Sequence, residues 1–337
     1  MRSERSTIAV LGDGGWGTTL AIHLHHRGHH VRWWGAFPAY LKVLDRRREN
    51  VKFLPGIRIP HSLSIEPDLR RAVASARIVI LAIPSQHLRS VLRRLQSLPV
   101  PGTIFVNAAK GLEQQTLRRM SEVVREELGE APLAVLSGPN IASEIASGHP
   151  ASSVIASTRS ATLTTVQAAL MSDQLRIYTS SDVIGVELGG ALKNPIAIAA
   201  GIVDGLQLGT NAKAALITRG VVEMARLGRA LGAEEQTFAG LSGLGDLVTT
   251  CLAGRSRWLG EQLGKGRSPT AVLASTPMVF EGVETAKAAL TLARRHRVEV
   301  PIIEQVHAIL FRRRSPTRAL QLLMSRRGTS ERGRSHS

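Results

Sequence analysis

The chain is 337 residues long, 43% hydrophobic and 20% charged, with a formal net charge of +17. That length and balance exclude a disordered or low-complexity polypeptide and leave room for one large or two ordinary domains with a real core. The single cysteine, Cys251, excludes an internal disulfide and suits a reducing compartment, so we expect a cytoplasmic location. No charged-then-apolar stretch opens the chain and no apolar run reaches the ~18 residues of a membrane span, so we expect no leader and no span.

Thr7 to Leu11 is an apolar, partly β-branched run of buried-strand length. Gly12, Gly14 and Gly17 follow in the spacing G-x-G-x-x-G. Leu20, Ala21 and Leu24 then recur at helical spacing up to Gly28, and Val31 to Trp34 is a second strand signal. Strand, glycine turn, helix and strand together give the glycine pattern its meaning. Gly12 permits the tight turn, Gly14 lets the backbone approach a pyrophosphate, and Gly17 lets the helix pack closely on the sheet. The unpaired N–H groups and positive dipole end of that helix then face the phosphates.

Past Trp34 the spacing of Leu41, Val43 and Leu44 predicts a helix, and Leu54-Pro55-Gly56 a loop. Arg77 to Ile83 reads as a buried strand stopped by Pro84, with Ser85 as the N-cap of a helix carrying Leu88, Val91, Leu92 and Leu95. Thr103 to Asn107 is a strand leading into Ala109-Lys110-Gly111, then comes a polar helix. Leu133 to Leu136 opens into Ser137-Gly138-Pro139-Asn140, and runs at Ser152 to Ala156 and Leu175 to Thr179 complete the strand signals. This alternation implies a mostly parallel sheet with helices on both faces. Three strand ends thus carry polar loops where cofactor loops belong. Lys110 there is either a solvated surface residue or part of a converging site.

From Gly185 to Leu323 the periodicity is helical. The expected architecture is therefore an α/β domain over 1–180, an all-α domain over 181–325 and a basic tail over 326–337, with a ligand cleft between the domains. Lys193 and Asn194 stand inside an apolar helix whose Gly189, Gly190 and Ala191 allow another backbone close by. A lysine so placed either loses hydration, which lowers its pKa toward that of a general acid–base, or snorkels outward. Pro195 should kink that helix or mark its start. Asp246, Thr249, Thr250, Arg255, Ser256 and Arg257 follow in one short region. They either cap helices and pair at the surface, or orient a lysine and grip a phosphate. The Arg-rich tail reads as a solvated end or as an anion-binding arm.

Together these residues resemble the soluble NAD(P)-dependent glycerol-3-phosphate dehydrogenase family. The matching stretches are GDGGWG, NVKFLPG, LAIPS, NAAKGLE, LSGPNIASE, GVELGGALKNPIAIAAGIVDG, TNAKAALITRG, GLSGLGDLVTTC and VFEGVETAKA, in the family's order over roughly residues 7 to 310. The resemblance implies a Rossmann domain followed by an all-α substrate domain. It implies reversible hydride transfer between NAD or NADP and dihydroxyacetone phosphate, yielding sn-glycerol 3-phosphate for glycerophospholipid synthesis. It implies Lys193 as catalytic proton donor and acceptor with Asp246 beside it. Lys110, Gly138, Asn194, Thr250, Arg255 and Ser256 would bind substrate. Gly12, Gly14, Gly15, Trp16, Gly17, Lys110, Ala142, Arg255, Val279 and Glu281 would contact the cofactor. The expected partners are the small phosphorylated substrate and a second copy of the chain, with no nucleic acid and no metal.

Several positions depart from the family's pattern. Gly15 stands where bacterial relatives often carry Ser. Ala36 stands where an Arg often follows the second strand and holds a 2′-phosphate, and no acid is there either, so neither NAD nor NADP is favoured. The segment from Cys251 to Gly260 is shorter than the common bacterial form, which is why the phosphate role goes to Arg255 rather than Arg257, and Ser256 replaces an expected Asn. A same-fold dehydrogenase of a hydroxyacyl-CoA or sugar-acid phosphate would lack the run from Asp246 to Ser256. A non-catalytic nucleotide-binding protein with a nucleic-acid-binding tail would lack Lys193.

Overall fold

The computed structural model describes residues 5–96, 98, 102–276 and 278–327. Its first part alternates strands and helices. The strands are β1 (Thr7–Leu11), β2 (His30–Trp34), β3 (Glu49–Asn50), β4 (Leu54–Arg58), β5 (Ser64–Ile65), β6 (Ile78–Leu81), β7 (Ile104–Asn107), β8 (Leu133–Ser137), β9 (Ala151–Ala156) and β10 (Leu175–Ser180). Between them lie helices α1 (Gly15–His26), α2 (Pro38–Arg47), α3 (Leu69–Val73), α4 (Ser85–Leu95), α5 (Met120–Leu128), α6 (Ala142–Ala146) and α7 (Ser160–Leu170). The main sheet runs β10-β9-β8-β7-β6-β1-β2-β5. Its pairs are parallel except β8 with β9. From β5 to β8 that order is the doubly wound one, whose ligand crevice opens beyond the carboxyl ends of β1 and β6.

The strands are apolar throughout because helices cover both faces. Ile8, Val10, Ile78, Ile80 and Val106 enter one core, and Ala9, Leu11, Val79, Leu81 and Phe105 the other. Leu54-Pro55-Gly56 is not a loop. It opens β4, which pairs with β3 in a small antiparallel ribbon. The short-range signals of Pro and Gly predict a turn, but pairing with Asn50 outweighs them.

The strands end at Ser180, and Asp182 then caps the next helix by accepting from the Gly185 N–H at 2.8 Å. The same carboxylate accepts from Glu234 N and from the Thr237 hydroxyl, fastening the domain boundary to the helical part. That part comprises α8 (Val183–Gly205), α9 (Gly209–Ala230), α10 (Asp246–Leu252), α11 (Arg255–Gly264), α12 (Pro269–Ala274), α13 (Glu281–Arg295), α14 (Pro301–Phe311) and α15 (Pro316–Met324). α8 is its axis. It is long and apolar enough by composition to cross a membrane, a length the sequence reading did not credit, yet it is buried in the protein by its neighbours. Gly201 and Gly260 let α8 and α11 touch backbone to backbone: a Cβ on Gly260 would stand 1.9 Å from the Ile198 carbonyl oxygen. Pro195 neither starts nor ends α8. Packing on all sides holds the helix through it despite a local cost of about 3 kcal/mol. The proposed tail beyond residue 327 lies outside the described residues. Arg326, just before, pairs with Glu299 at 3.0 Å.

Candidate active site

Four polypeptide turns lie at the carboxyl ends of β1, β6, β7 and β8, and those after β6 and β7 reach the helical domain through Ser85 and Lys110. The first is the glycine turn. A Cβ on Gly12 would lie 2.2 Å from the Ala82 carbonyl oxygen and one on Gly17 2.1 Å from the Gly12 carbonyl oxygen. Both positions are closed to any side chain. Nothing stands within 4 Å of a Cβ placed on Gly14. α1 begins there with no side chain capping it, so its first N–H groups have no side-chain acceptor. The Trp16 indole N–H is buried without a partner. Ala142 adjoins the turn, its carbonyl accepting from the Thr19 hydroxyl at 3.0 Å. Tight walls, an open middle and unspent donors fit a dinucleotide pyrophosphate.

Asn50 holds this turn in place and was absent from the sequence-derived site. Fully buried, it donates to the Asp13 carbonyl at 2.8 Å and the Thr18 hydroxyl at 2.7 Å, and accepts from the Tyr40 hydroxyl at 2.6 Å. The only sequence signal was its place in the NVKFLPG run.

The chemistry lies where β7 and β8 meet α8 and α10. Lys193, on α8, is 6% exposed and donates to Asp246 Oδ1 and, at 2.8 Å, to the Thr250 hydroxyl. The Thr250 hydroxyl donates onward to the Asp246 carbonyl at 2.7 Å, which turns its lone pair to the lysine. Lys110, from the loop after β7, donates to Asp246 Oδ2 at 2.7 Å and to the Gly138 carbonyl at 2.8 Å. One carboxylate therefore bridges two ammonium groups, one from each domain. A single turn of π-helix, Leu241–Gly245, delivers Asp246 to this point. Burial pushes the Lys193 ammonium down from 10.5 to about 8, helped by the like charge of Lys110 and opposed by Asp246. The Ser137 hydroxyl, at the end of β8, is buried with no partner and lies against Gly190. It too was missing from the sequence-derived set.

Asn194 and Ser256 adjoin this cluster. The Ser256 hydroxyl donates to Asn194 Oδ1 at 3.3 Å. Arg255, at the first turn of α11, makes no hydrogen bond or ion pair among the described residues, so its guanidinium is available to an anion. Glu281 is partly committed. Its carboxylate accepts from the Ser85 backbone N–H at 2.9 Å and from the Ser85 hydroxyl, joining α13 to α4 across the domains. Ser85 is therefore not an N-cap. It is the first residue of α4, Pro84 holds the cap position, and the serine hydroxyl prefers the carboxylate. Pro84, Gln86, Val279, Glu281 and Glu284 line a cleft of about 310 Å³ beside this junction. Lys110, Lys193 and Asp246 do not line it.

A second buried acid ties the domains behind the lysines. Glu187, six residues before Lys193 on α8, accepts from Ser121 N and the Ser121 hydroxyl, both at 2.6 Å, and from Arg119 at 3.1 Å. It closes the start of α5 from the other domain.

Comparison with known proteins agrees with this arrangement. Residues 7–163 match the family model described as NAD-dependent glycerol-3-phosphate dehydrogenase N-terminus, and residues 182–321 match its C-terminus counterpart. The protein named glycerol-3-phosphate dehydrogenase [NAD(P)+] of Chlorobium phaeobacteroides is 47% identical, covering 97% of this chain and 99% of its own. That of Geobacillus kaustophilus is 47% identical over 95% and 94%. The crystal structure of the Coxiella burnetii glycerol-3-phosphate dehydrogenase superposes with a TM-score of 0.92 at 37% identity, covering 96% of this chain and 99% of that one. With both halves matched in order and relatives aligned over almost their whole length, the chain belongs to the NAD-dependent glycerol-3-phosphate dehydrogenase family.

Proposed function

We propose that this chain catalyses the reversible reduction of dihydroxyacetone phosphate to sn-glycerol 3-phosphate with NADH or NADPH. One observation carries the reading: a buried lysine of lowered pKa, clamped by a carboxylate, at the strand ends that also hold the glycine turn. When bound, the nicotinamide supplies the hydride and takes it back. The chain's residues handle charge and position. Lys193 faces the C2 oxygen and gives it a proton as negative charge grows there, and in the reverse direction removes the hydroxyl proton. Asp246 holds Lys193 through Oδ1 and Lys110 through Oδ2, so that neither amine rotates away. Two lysines around one aspartate leave a net positive charge in a dry place, which suits an anionic substrate. Arg255, Asn194, Thr250 and Ser256 surround the substrate phosphate, and Gly138 lines its other side. Gly12, Gly14, Gly15, Trp16, Gly17, Ala142, Val279 and Glu281 contact the dinucleotide.

The same reading carries a homodimer and a cytoplasmic location. Cys251 is buried and unpaired, which supports a reducing compartment. The run from Asp246 to Ser256 and the match of the C-terminal family model favour this substrate over a hydroxyacyl-CoA or a sugar-acid phosphate.

The test is the loss of reduced-nicotinamide absorbance with dihydroxyacetone phosphate. Lys193→Ala is expected to lower turnover by at least ~10²-fold, the scale of general acid–base catalysis, while dinucleotide affinity stays nearly constant. Undiminished turnover in that variant overturns the assignment of the acid.

A further inference from the structure

Gly35 is the first residue past β2, about 20 residues on from the glycine turn, where a dinucleotide fold that selects NAD places an acid on the ribose 2′-hydroxyl. Neither Gly35 nor Ala36 supplies one. The space is nonetheless occupied. A Cβ on Gly35 would lie 2.7 Å from Asp13 Cβ, Cγ and Oδ2 alike, so the Asp13 side chain fills the room a side chain at 35 would take. Asp13 is the residue between the first two glycines of the turn, and its backbone is fixed by Asn50 through the 2.8 Å bond to its carbonyl. Its Oδ2 is shielded and has no hydrogen-bond partner, although the residue as a whole is only half-buried.

We propose that Asp13 reads the adenosine ribose in place of the absent acid at the end of β2, and thereby selects NAD(H) over NADP(H). The inference rests on the dehydrogenase reading above and deepens it. A ribose hydroxyl beside Asp13 supplies the donor that Oδ2 lacks, as a charge-assisted hydrogen bond. A 2′-phosphate at the same point meets a like charge instead. Lys52 sharpens the discrimination. Its ammonium lies 4.9 Å from the Phe53 ring centre, and its charge reaches the Asp13 carboxyl, which burial otherwise pushes upward. While Asp13 is present, its charge offsets part of the field of Lys52. Without Asp13, that cation is free to attract a 2′-phosphate.

Equilibrium binding of NADH and of NADPH, read by nicotinamide fluorescence without substrate, tests this. The unmodified chain is expected to bind NADH at least ~10-fold more tightly. Asp13→Asn should narrow that ratio by ~10-fold or more, chiefly by gaining NADPH affinity, and Asp13→Ala should act in the same direction. Adding Lys52→Gln to Asp13→Asn should remove the gain. Equal affinities of the unmodified chain for the two dinucleotides, or a ratio that neither Asp13 variant moves, overturns the role of Asp13 and leaves the dehydrogenase reading standing. Failure of the unmodified chain to bind either dinucleotide overturns both.

Discussion

Lys193 is the residue whose setting most constrains the proposed chemistry, in which its proton is the one exchanged. A folded-state value of about 8 splits the two directions of reaction by pH. Reduction needs the ammonium, so its rate should fall as pH rises through about 8. Oxidation needs the free amine, so its rate should rise through the same range. The apparent value belongs to the Lys193–Asp246–Lys110 unit. Asp246→Asn removes the anion that opposes deprotonation and leaves two cations facing each other, so both arms should move to lower pH. Rate–pH profiles in both directions check this, and arms that stay in place in the variant reject the bridge. At this scale the sequence was partly legible. A lysine among small apolar residues announced itself, as did the cluster after Asp246. The bridging role of Asp246 did not, because its partners are 53 and 136 residues away. Asn50 and Glu187 were missed for the same reason: a buried polar residue is marked by its partners, and these lie on other elements. Ser137, whose hydroxyl has no hydrogen-bond partner, carried no such mark.

Among elements, α8 shows why pattern reading works for existence and fails for detail. Its small-residue, apolar composition marked a core helix, and the α/β alternation before it marked a parallel sheet. What tertiary contacts override was not visible: β4 forms through Leu54-Pro55-Gly56, and Pro195 does not mark the start of α8. A buried acid between two helices gives a test at this scale. Glu223, on α9, accepts from the Ile302 N–H at 2.6 Å and the Ile303 N–H at 3.2 Å, closing the start of α14. Burial raises its carboxyl from 4.5 to about 8. The folded chain therefore keeps a proton there that the unfolded chain has released. The stability this gives is complete below about pH 4.5 and is lost as pH rises toward 8. Glu223→Gln keeps an acceptor for α14 without a titrating group. Its melting temperature should fall less than that of the unmodified chain between about pH 5 and pH 8. Parallel curves for the two proteins would show that Glu223 is not the group responsible.

For the whole molecule, a net charge of +17 gives an anionic substrate a favourable approach and is a solubility property rather than a fold property. That the strands end near residue 180 was readable because strand signals stop there. Which surfaces of the two domains meet was not, since that depends on pairs such as Ser85 with Glu281, 196 residues apart. The proposed homodimer is tested by light scattering on the eluting protein: a mass near twice 36.3 kDa is expected, and a single-chain mass rejects it. The shared aspartate has a further consequence for how such a chain can be rebuilt. Lys110 comes from the sheet and the other two members of the trio from the helices, so neither half is an interchangeable module. A chimera that grafts these helices onto a foreign nucleotide-binding domain would inherit the acid but leave one of its oxygens without its cation. Recombination can preserve the reaction only where the donor sheet already ends its fifth main-sheet strand, counted along the chain from β1, in an equivalent lysine-bearing loop.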